Sequence, residues 1–255
     1  MNQTYGDFQL LILDNASGDE TEDVAHELMA LDGRVRYHQH PNNIGGLQNL
    51  IFGIQRVTTP FFNVLCDDDS LMPEFLETGV KTHESANRPA VLASARVVVV
   101  DQVGRIGEGY RHPVARLTLD APDGVSHCLK LGMSIPGVIY RTKAMATIGP
   151  PRSAWWNWTE SGWHALAAMT HSIQFTPNVG AIVLVHPGSA SKQMDGDEFR
   201  ATWFEMLAEL RAAASGAQVT PEWWNRHILP LAYFRFFGTV ARLCTRDGSK
   251  RYTQL

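Results

Sequence analysis

Three consecutive carboxylates, Asp67, Asp68 and Asp69, follow directly on an apolar run at residues 61–65 and on Cys66. Adjacent carboxylates repel one another and raise each other's pKa, so they are tolerated when they are solvated or when a divalent cation lies among them. Magnesium and manganese commonly meet a nucleotide through one or two carboxylates, while water and phosphate oxygens complete the shell. Two interpretations therefore stay open: a solvated acidic turn before a helix, and a metal site that bridges a diphosphate.

Apolar strands and amphipathic helices alternate on either side of these carboxylates. The pattern predicts strands at residues 8–14, 35–38, 61–66 and 90–100, and helical segments at residues 15–31, 47–57 and 73–83. Ser17 and Glu20 have the spacing of a capping box, and Pro73 fits the first turn of the third helix. The alternation favours a parallel sheet covered by helices on both faces. Carboxylates just beyond a strand's carboxyl end then lie at the rim where such sheets bind ligands.

The composition is that of a globular chain with one sizeable core, or with one domain and an appendage. The chain has 255 residues, of which 44% are hydrophobic and 19% are charged. Its net charge of −4 and pI of about 6.2 give no general basic surface for nucleic acid. We therefore expect no nucleic acid partner. An anionic ligand would have to bind at a local site or through a metal.

The cysteines and the apolar segments favour a cytoplasmic location. Cys66, Cys128 and Cys244 are odd in number and far apart, which suits a reducing compartment better than a disulfide framework. No apolar run approaches the roughly 20 residues of a membrane span. The amino-terminal segment MNQTYGDFQ is neither basic nor apolar enough for a signal peptide.

The order of several segments resembles a known family. The first third contains QTYGDFQLLILDNASGDETED, PNNIGG and LCDDDSLMPEFL, which resemble the successive signatures of family 2 glycosyltransferases with the GT-A fold. Residues 134–193 contain SIPGVIYRTKAMATIGP, WTESGWHALAAMTH and VLVHPGSASKQ, which are similar to the family's strand and helix before the acceptor site, its catalytic-base segment and its closing histidine and serine segment. The resemblance covers roughly residues 2–193.

This resemblance implies a fold and a domain organisation. We expect an α/β, GT-A-like domain at residues 1–194, with a mostly parallel, Rossmann-type sheet flanked by helices. A C-terminal helical extension is expected at residues 195–255.

The resemblance also implies residues that bind a nucleoside diphosphate sugar. Asp14 would accept a hydrogen bond from the imide N–H of a uracil or thymine base, with Asn15 beside it. Asp67 would face the ribose, and Ser189 and Ser191 would donate to phosphate oxygens. An acidic residue that simply starts a loop is the alternative for Asp14.

The metal ligands implied by the resemblance are Asp68, Asp69 and His186. They would hold Mn²⁺ or Mg²⁺ between the two phosphates, where the cation stabilises the negative charge of the leaving group. His186 could instead contact the diphosphate or be a structural residue. The family's commoner pattern has an aspartate where Cys66 stands, which leaves open which member of the triplet binds the metal.

Glu160 is the candidate general base, because an acceptor hydroxyl must lose its proton to a positioned carboxylate. The family usually has a Glu-Asp pair here, often with the second residue as the base, whereas Glu160 is followed by Ser161. An ordinary acidic residue in a helix's first turn is the alternative. Four tryptophans crowd the same segment and could stack on a sugar or belong to the core: Trp155, Trp156, Trp158 and Trp163.

The start of the chain departs from the family. The family normally opens with a central strand that ends in a Pro-Thr-Tyr-Asn type sequence, and this chain begins at the end of the following helix. A start codon placed too far downstream, a fragment and a decayed enzyme are three explanations. Without that strand, residues 8–14 have to pair directly with residues 61–66 or leave a gap in the sheet.

The last 60 residues or so mix amphipathic helices with arginines. Arg235, Arg242 and Arg246 recur at helical spacing, so this face could lie on the inner surface of an anionic membrane, where lipid-linked acceptors are found. Packing on the chain's own domain, or on a second copy in a homodimer, is the alternative.

The sequence thus favours an inverting, metal-dependent transferase with a nucleotide-sugar donor and a glycan or lipid-linked acceptor. Two rivals remain. One is a non-catalytic relative that binds a sugar nucleotide or glycan, and the other is a phosphate-binding α/β domain of another family.

Overall fold

Two sheets and the helices packed on them make up the part of the chain that the computed structural model describes. That part comprises residues 1–85, 89–107, 112–131, 133–152, 159–189, 196–217, 219–234 and 236–238. The strands are β1 (Leu10–Asp14), β2 (Val35–Gln39), β3 (Phe61–Phe62), β4 (Ser70–Leu71), β5 (Ala90–Asp101), β6 (Ile106–Gly107), β7 (Leu117–Leu119), β8 (Val138–Arg141) and β9 (Ser172–Val185). The α-helices are α1 (Thr21–Leu31), α2 (Gly46–Ile54), α3 (Phe75–Glu84), α4 (Gly124–Leu131), α5 (Thr142–Ile148), α6 (Thr159–Thr170), α7 (Gly196–Gly216) and α8 (Pro221–His227).

The sheets confirm the predicted α/β class and refine its topology. β1 and β2 form a parallel pair, and the larger sheet has the order β3-β8-β5-β9-β4, with β6 beside β5 and β7 beside β9. Within the described strands of the larger sheet, only β5 and β9 pair in parallel. The sheet is therefore mixed, not mostly parallel. One reason is that the turn at residues 102–105 between β5 and β6 is too short for the crossover that a parallel pair needs.

Residues 8–14 were expected either to pair with residues 61–66 or to leave a gap in the sheet, and the structure has the gap. Among the described strands, β1 pairs with β2 and not with β3, and β3 pairs with β8. The amino-terminal residues connect this part to the rest through hydrogen bonds outside any ladder. The N–H of Thr4 donates to the carbonyl of Pro73 at 2.9 Å, and the Gln3 side chain donates to the carbonyl of Met72 at 2.9 Å.

The predicted capping box is wrong. Both the backbone N–H and the hydroxyl of Ser17 donate to Asp14 Oδ1, at 2.8 and 2.5 Å, because this carboxylate is the stronger acceptor nearby. Helix α1 begins only at Thr21, and Glu20 gives it no side-chain cap. The predicted start of α3 is two residues too early, since the helix begins at Phe75 and not at Pro73.

The predicted strand at residues 61–66 is shorter than expected. Phe61 and Phe62 pair with β8, and the chain then leaves the ladder. The Asn63 amide replaces the missing ladder bonds, donating to the carbonyls of Pro136 and Val138, each at 2.9 Å. This anchor fixes where the chain leaves the sheet, four residues before the first carboxylate, Asp67.

The core covers both faces of the larger sheet. Alternate residues of β8 point to opposite faces: Val138 and Tyr140 pack with α4, α6 and α7, whereas Ile139 packs with Phe75 of α3. Trp163 is fully buried and donates its indole N–H to the carbonyl of Gly149 at 2.8 Å. Trp163 therefore belongs to the core. The predicted sugar-stacking residues Trp155, Trp156 and Trp158 lie outside the described residues.

The C-terminal helices pack on the same core. Trp203, Met206 and Leu210 of α7 and Trp224 of α8 are buried in the cluster that contains β5, β8 and β9. Helices α7 and α8 therefore pack on the chain's own domain, which was one of the expected arrangements. The predicted membrane-facing arginines, Arg235, Arg242 and Arg246, lie outside the described residues. None of the described helices combines the length and the apolar character needed to cross a membrane.

Candidate active site

The carboxylate turn, residues 66–69, lies between β3 and β4 and is held from two sides. The N–H of Asp69 donates to the carbonyl of Cys66 at 3.2 Å and closes the turn. Asp69 Oδ1 accepts a hydrogen bond from the backbone N–H of Leu184 in β9 at 3.1 Å. The turn is therefore fixed beside the carboxyl end of the longest strand of the sheet.

His186 follows β9 and reaches the same turn. Its Nε2 lies 3.2 Å from Asp68 Oδ2. The loop around it is closed by reciprocal bonds, because the N–H of His186 donates to Ser189 Oγ and the N–H of Ser189 donates to the carbonyl of His186, each at 3.0 Å. The structure thus brings together four of the predicted residues: Asp68, Asp69, His186 and Ser189.

Hydrogen bonding assigns the His186 tautomer. The backbone N–H of Gly188 donates to Nδ1 at 3.2 Å, so Nδ1 carries no proton in this conformation. Nε2 then carries the proton and donates to Asp68. In this arrangement His186 orients the Asp68 carboxylate, and the predicted role of His186 as a metal ligand would require the other tautomer.

The pKa shifts in the turn come first from desolvation and then from the neighbouring negative charges. Desolvation, reinforced by the charges of Asp68 and Asp67 and opposed by the bond from Leu184, raises the pKa of Asp69 to about 6. Cys66 is exposed as a residue, yet desolvation of its thiol and the charges of neighbouring carboxylates raise its pKa to about 12. Both shifts oppose ionisation, and a bound cation would reverse them.

The donor atoms of the turn fit a divalent cation. Cys66 Sγ and one carboxylate oxygen from each of Asp68 and Asp69 lie within 4.8 Å of one another. Bonds of about 2.0 to 2.3 Å from a metal allow two ligand atoms to be up to about 4.4 Å apart. Only ligands on opposite sides of an ion can be that far apart, and other pairs lie closer, at about 3 to 3.6 Å, so the three side chains would draw together when an ion binds. Asp67 is exposed and borders this set.

Glu160 lies near the carboxylate turn, at the start of α6. Its negative charge contributes to the raised pKa values of both Cys66 and Tyr140, so the Glu160 carboxylate is within electrostatic range of the two side chains. Helix α6 is anchored below it by a 2.7 Å hydrogen bond between the Tyr140 hydroxyl and His164 Nε2. Ser161 is buried, whereas Glu160 is partly exposed, so Glu160 is the more accessible of the two positions where the family has carboxylates.

Asp14 ends β1 and is saturated by donors from its own chain. Oδ1 accepts two bonds from Ser17, and Oδ2 accepts from the Tyr37 hydroxyl at 2.7 Å and Gln39 Nε2 at 3.0 Å. These bonds, led by the one from the Ser17 side chain, lower the pKa of Asp14 well below its usual value. Desolvation, with the bond to Asp14, raises the pKa of Tyr37 to about 12. Asp14 is only 3% exposed, and its hydrogen bonds favour the ionised carboxylate although burial opposes it.

Asn15 joins the loop after β1 to the loop after β2. Its Nδ2 donates to Asn43 Oδ1 at 2.9 Å, and its Oδ1 accepts from the N–H of Ile44 at 2.8 Å. Gly45 follows with φ of +85°, a conformation that favours glycine. The Asn-Asn-Ile-Gly-Gly segment is therefore shaped around Asn15, next to Asp14.

The sequence reasoning missed Tyr37 and Gln39. Both lie on β2, where Gln39 is opposite Asp14 and Tyr37 is opposite Ile12. The two residues alternate with His38, and this period of two would have indicated a common face. Cys66 was also missed as a candidate ligand, although its position beside three carboxylates gives it the same access to a cation.

The amino-terminal half matches the family model described as "Glycosyl transferase family 2" over residues 1–132. An uncharacterized glycosyltransferase of Haemophilus influenzae is 25% identical over 112 residues, which are 44% of this chain and 35% of that protein. The match therefore spans about a third of that relative's length.

Solved structures of S. aureus TarS resemble this chain over 89% of its length. TarS residues 1–349 in complex with UDP-GlcNAc superpose with a TM-score of 0.64 and 16% identity, over 89% of this chain and 66% of that one. The complex of the same TarS segment with UDP gives a TM-score of 0.57 and 17% identity, over 89% and 64% of the two chains. At these identities the likeness establishes a GT-A-like α/β fold.

Proposed function

The chain belongs to glycosyl transferase family 2, whose model covers more than half of it, and from this premise we propose that it transfers a sugar from a nucleoside diphosphate donor to a hydroxyl acceptor. The observation that carries the proposal is the convergence of Asp68, Asp69 and His186 at the carboxyl end of β9, with Glu160 close by. A phosphate-binding domain of another family would give Glu160 no role.

The donor is proposed to be a uridine diphosphate sugar, because a structural neighbour binds UDP-GlcNAc. Asp14 would accept the imide N–H of the base, with Asn15 holding the adjoining loop and Asp67 facing the ribose. Since Asp14 already accepts four hydrogen bonds, one of them has to break when the base binds. Gln39 Nε2, at 3.0 Å, is the longest of the four.

A divalent cation would be held by Asp68 and Asp69, with Asp68 oriented by His186. Such a cation neutralises the charge that develops on the departing diphosphate. Ser189 uses its oxygen to accept from the N–H of His186, so its hydroxyl proton is left to donate to a phosphate oxygen.

Glu160 is proposed as the general base that takes the proton of the acceptor hydroxyl. In this arrangement the acceptor attacks the sugar from the side opposite to the diphosphate, which inverts the configuration of the anomeric carbon. The buried hydrogen bond between Tyr140 and His164 holds the helix that carries Glu160.

The acceptor is proposed to be a glycan or a lipid-linked saccharide in the synthesis of a cell-surface polysaccharide or glycoconjugate. A cytoplasmic location with peripheral contact at the inner face of the membrane, and a homodimer, belong to the same proposal. A non-catalytic relative that binds a sugar nucleotide is the second candidate. Ser161 favours that candidate, because it stands where the family usually has the second carboxylate of a pair.

Two measurements test the function. Calorimetric titration with UDP, dTDP and GDP, each with Mn²⁺, should give binding of UDP or dTDP in preference to GDP. Hydrolysis of UDP-GlcNAc, followed as release of UDP with and without Mn²⁺, should then occur only with the cation. Nucleotide binding without any turnover would support the non-catalytic candidate, and failure of all three nucleotides to bind would overturn the proposal.

A further inference from the structure

We propose that Cys66 is a ligand of the cation in this site and gives the site a preference for thiophilic divalent ions, such as Co²⁺, Zn²⁺ and Cd²⁺, over Mg²⁺. The inference rests on the proposed function, because the ion is the one that would bridge the phosphates of the donor. It goes further by assigning a specific ligand and a metal class.

The geometry of the carboxylate turn selects Cys66. Its Sγ lies within 4.8 Å of a carboxylate oxygen of Asp68 and of one of Asp69. Both carboxylates are held in place, Asp68 by His186 and Asp69 by the N–H of Leu184. A cation placed between the two fixed carboxylates therefore has the Cys66 sulfur as its next protein neighbour in the turn.

The hydrogen bonds of His186 prevent the imidazole from being the third protein ligand of the cation, so Cys66 is the remaining candidate. The N–H of Gly188 occupies Nδ1, and the proton on Nε2 is directed at Asp68, so neither ring nitrogen offers a lone pair to a cation in this conformation. The imidazole acts on the cation through Asp68. Two carboxylate oxygens and one sulfur then supply the protein's ligands, and the remaining positions are open to phosphate oxygens.

The chemistry of sulfur sets the metal preference. Carboxylates and water suit Mg²⁺ and Mn²⁺, whereas a thiolate suits softer ions such as Zn²⁺. When the ion binds, the S–H proton passes to the buffer and one sulfur–metal bond forms, since a coordinating thiol is deprotonated. Replacement of the thiol by a hydroxyl or a carboxylate should therefore lower the affinity for Co²⁺ and Cd²⁺ much more than the affinity for Mg²⁺.

Cobalt titration of the full chain without nucleotide tests this directly, because thiolate coordination to Co²⁺ produces a charge-transfer absorption in the near ultraviolet. We expect this band in the parent chain and its loss in Cys66→Ser and Cys66→Asp. We also expect at least a tenfold weaker Co²⁺ affinity in Cys66→Ser. Cys128→Ser is the matched control, since Cys128 is buried in the core and should not affect the band. Melting curves of each variant show whether it is folded.

The outcomes separate the inference from the proposed function. Co²⁺ binding that shows no thiolate band, or a band that survives in Cys66→Ser, would overturn the role of Cys66 and leave metal-dependent transfer intact. Failure of the folded chain to bind Co²⁺ would overturn the inference as well. UDP binding and UDP-GlcNAc hydrolysis, measured on the same preparation with Mn²⁺, report separately on the transferase proposal.

Discussion

Asp69 Oδ1 accepts a 3.1 Å hydrogen bond from the backbone N–H of Leu184, so the carboxylate turn and the carboxyl end of β9 form one structural unit. The chain continues from β9 into His186, which returns to Asp68. Residues more than 110 positions apart in sequence are thereby fixed side by side at the proposed diphosphate site.

Asp68→Ala should abolish the dependence of nucleotide affinity on a divalent cation. The substitution removes one of the two fixed carboxylates, and metal-mediated stabilisation of the leaving group is typically worth several kcal/mol. Calorimetry with UDP and Mn²⁺, with and without a chelator, is the measurement. Asp7→Ala, at an exposed position, is the control. Parent-like affinity for UDP in Asp68→Ala, or in the parent chain with the chelator, would contradict the assignment.

Glu160→Gln should lower turnover by about 100-fold or more, the usual scale for loss of a general base. The amide preserves the shape of the side chain and cannot accept the acceptor's proton. Donor affinity should stay nearly unchanged, because the phosphates are bound elsewhere. Sugar transfer and UDP affinity are measured together, with the exposed Glu74→Gln as the control. Transfer at the parent's rate would remove Glu160 from the mechanism.

Ser161→Asp separates the two positions of the family's carboxylate pair. Ser161 is 6% exposed, so the new carboxylate would be placed in the core without a prepared partner. We expect a lower melting temperature and no gain in transfer. A large gain in rate would instead show that Glu160 is an inadequate base and that the parent chain is a weakened relative.

Asp14→Asn should destabilise the fold as well as weaken UDP binding. Asp14 accepts four hydrogen bonds while 3% exposed, and the Asn side chain presents an NH₂ group to donors that need an acceptor. The expected cost is about 1 to 3 kcal/mol, the usual range for unsatisfied buried polar groups. Urea unfolding at pH 7 measures it. Tyr37→Phe removes one donor and keeps the carboxylate, so it should cost less and should retain UDP binding.

His83 should make the fold less stable in mild acid. It is buried, its Nε2 donates to the carbonyl of Ile139 at 2.9 Å, and desolvation lowers its pKa from 6.5 to about 4. In the unfolded chain the His83 imidazole is therefore protonated below about pH 6.5, whereas in the folded chain it is protonated only below about pH 4. Stability is fully present above pH 6.5 and is lost as the pH falls through this window, by about 3 kcal/mol for a shift of this size.

Urea unfolding at pH 7.5 and pH 4.5 tests the role of His83. His83→Gln should reduce the difference in unfolding free energy between the two pH values, whereas the exposed His227→Gln should leave it unchanged. An equal pH dependence in the parent chain and in His83→Gln would show that another group, such as the buried His164, causes the loss.

The sequence predicted those parts of the fold whose pattern is local. The apolar runs at β1, β2 and β5 lie within one or two residues of the observed strands. β9 was not predicted, because Pro177 and Gly180 interrupt its pattern. The structure accommodates them where the register shifts against β5, between the pairs Ser94–Phe175 and Arg96–Val179. Such a shift depends on the partner strand and leaves no signal in one segment alone.

The candidate site was predictable in its residue types and not in its hydrogen bonding. The order of the motifs indicated Asp68, Asp69 and His186. The role of Asp69 depends on the backbone N–H of Leu184, and that of His186 on the backbone N–H of Gly188. A backbone donor of this kind does not depend on the type of side chain and is not visible in the sequence. The four donors of Asp14 likewise come from a neighbouring strand and a turn, which only the fold brings together.

The separation of β1 and β2 from the larger sheet has a consequence for cooperativity. Because no ladder joins the described strands of the two sheets, β1 and β2 can open as a local unit while β5 and β9 stay closed. Amide hydrogens of β1 should then exchange with solvent by local opening, whereas those of β5 and β9 should exchange only on global unfolding. A ligand that contacts both Asp14 and Asp68 would connect the two units, so its binding should slow amide exchange most strongly in β1 and β2.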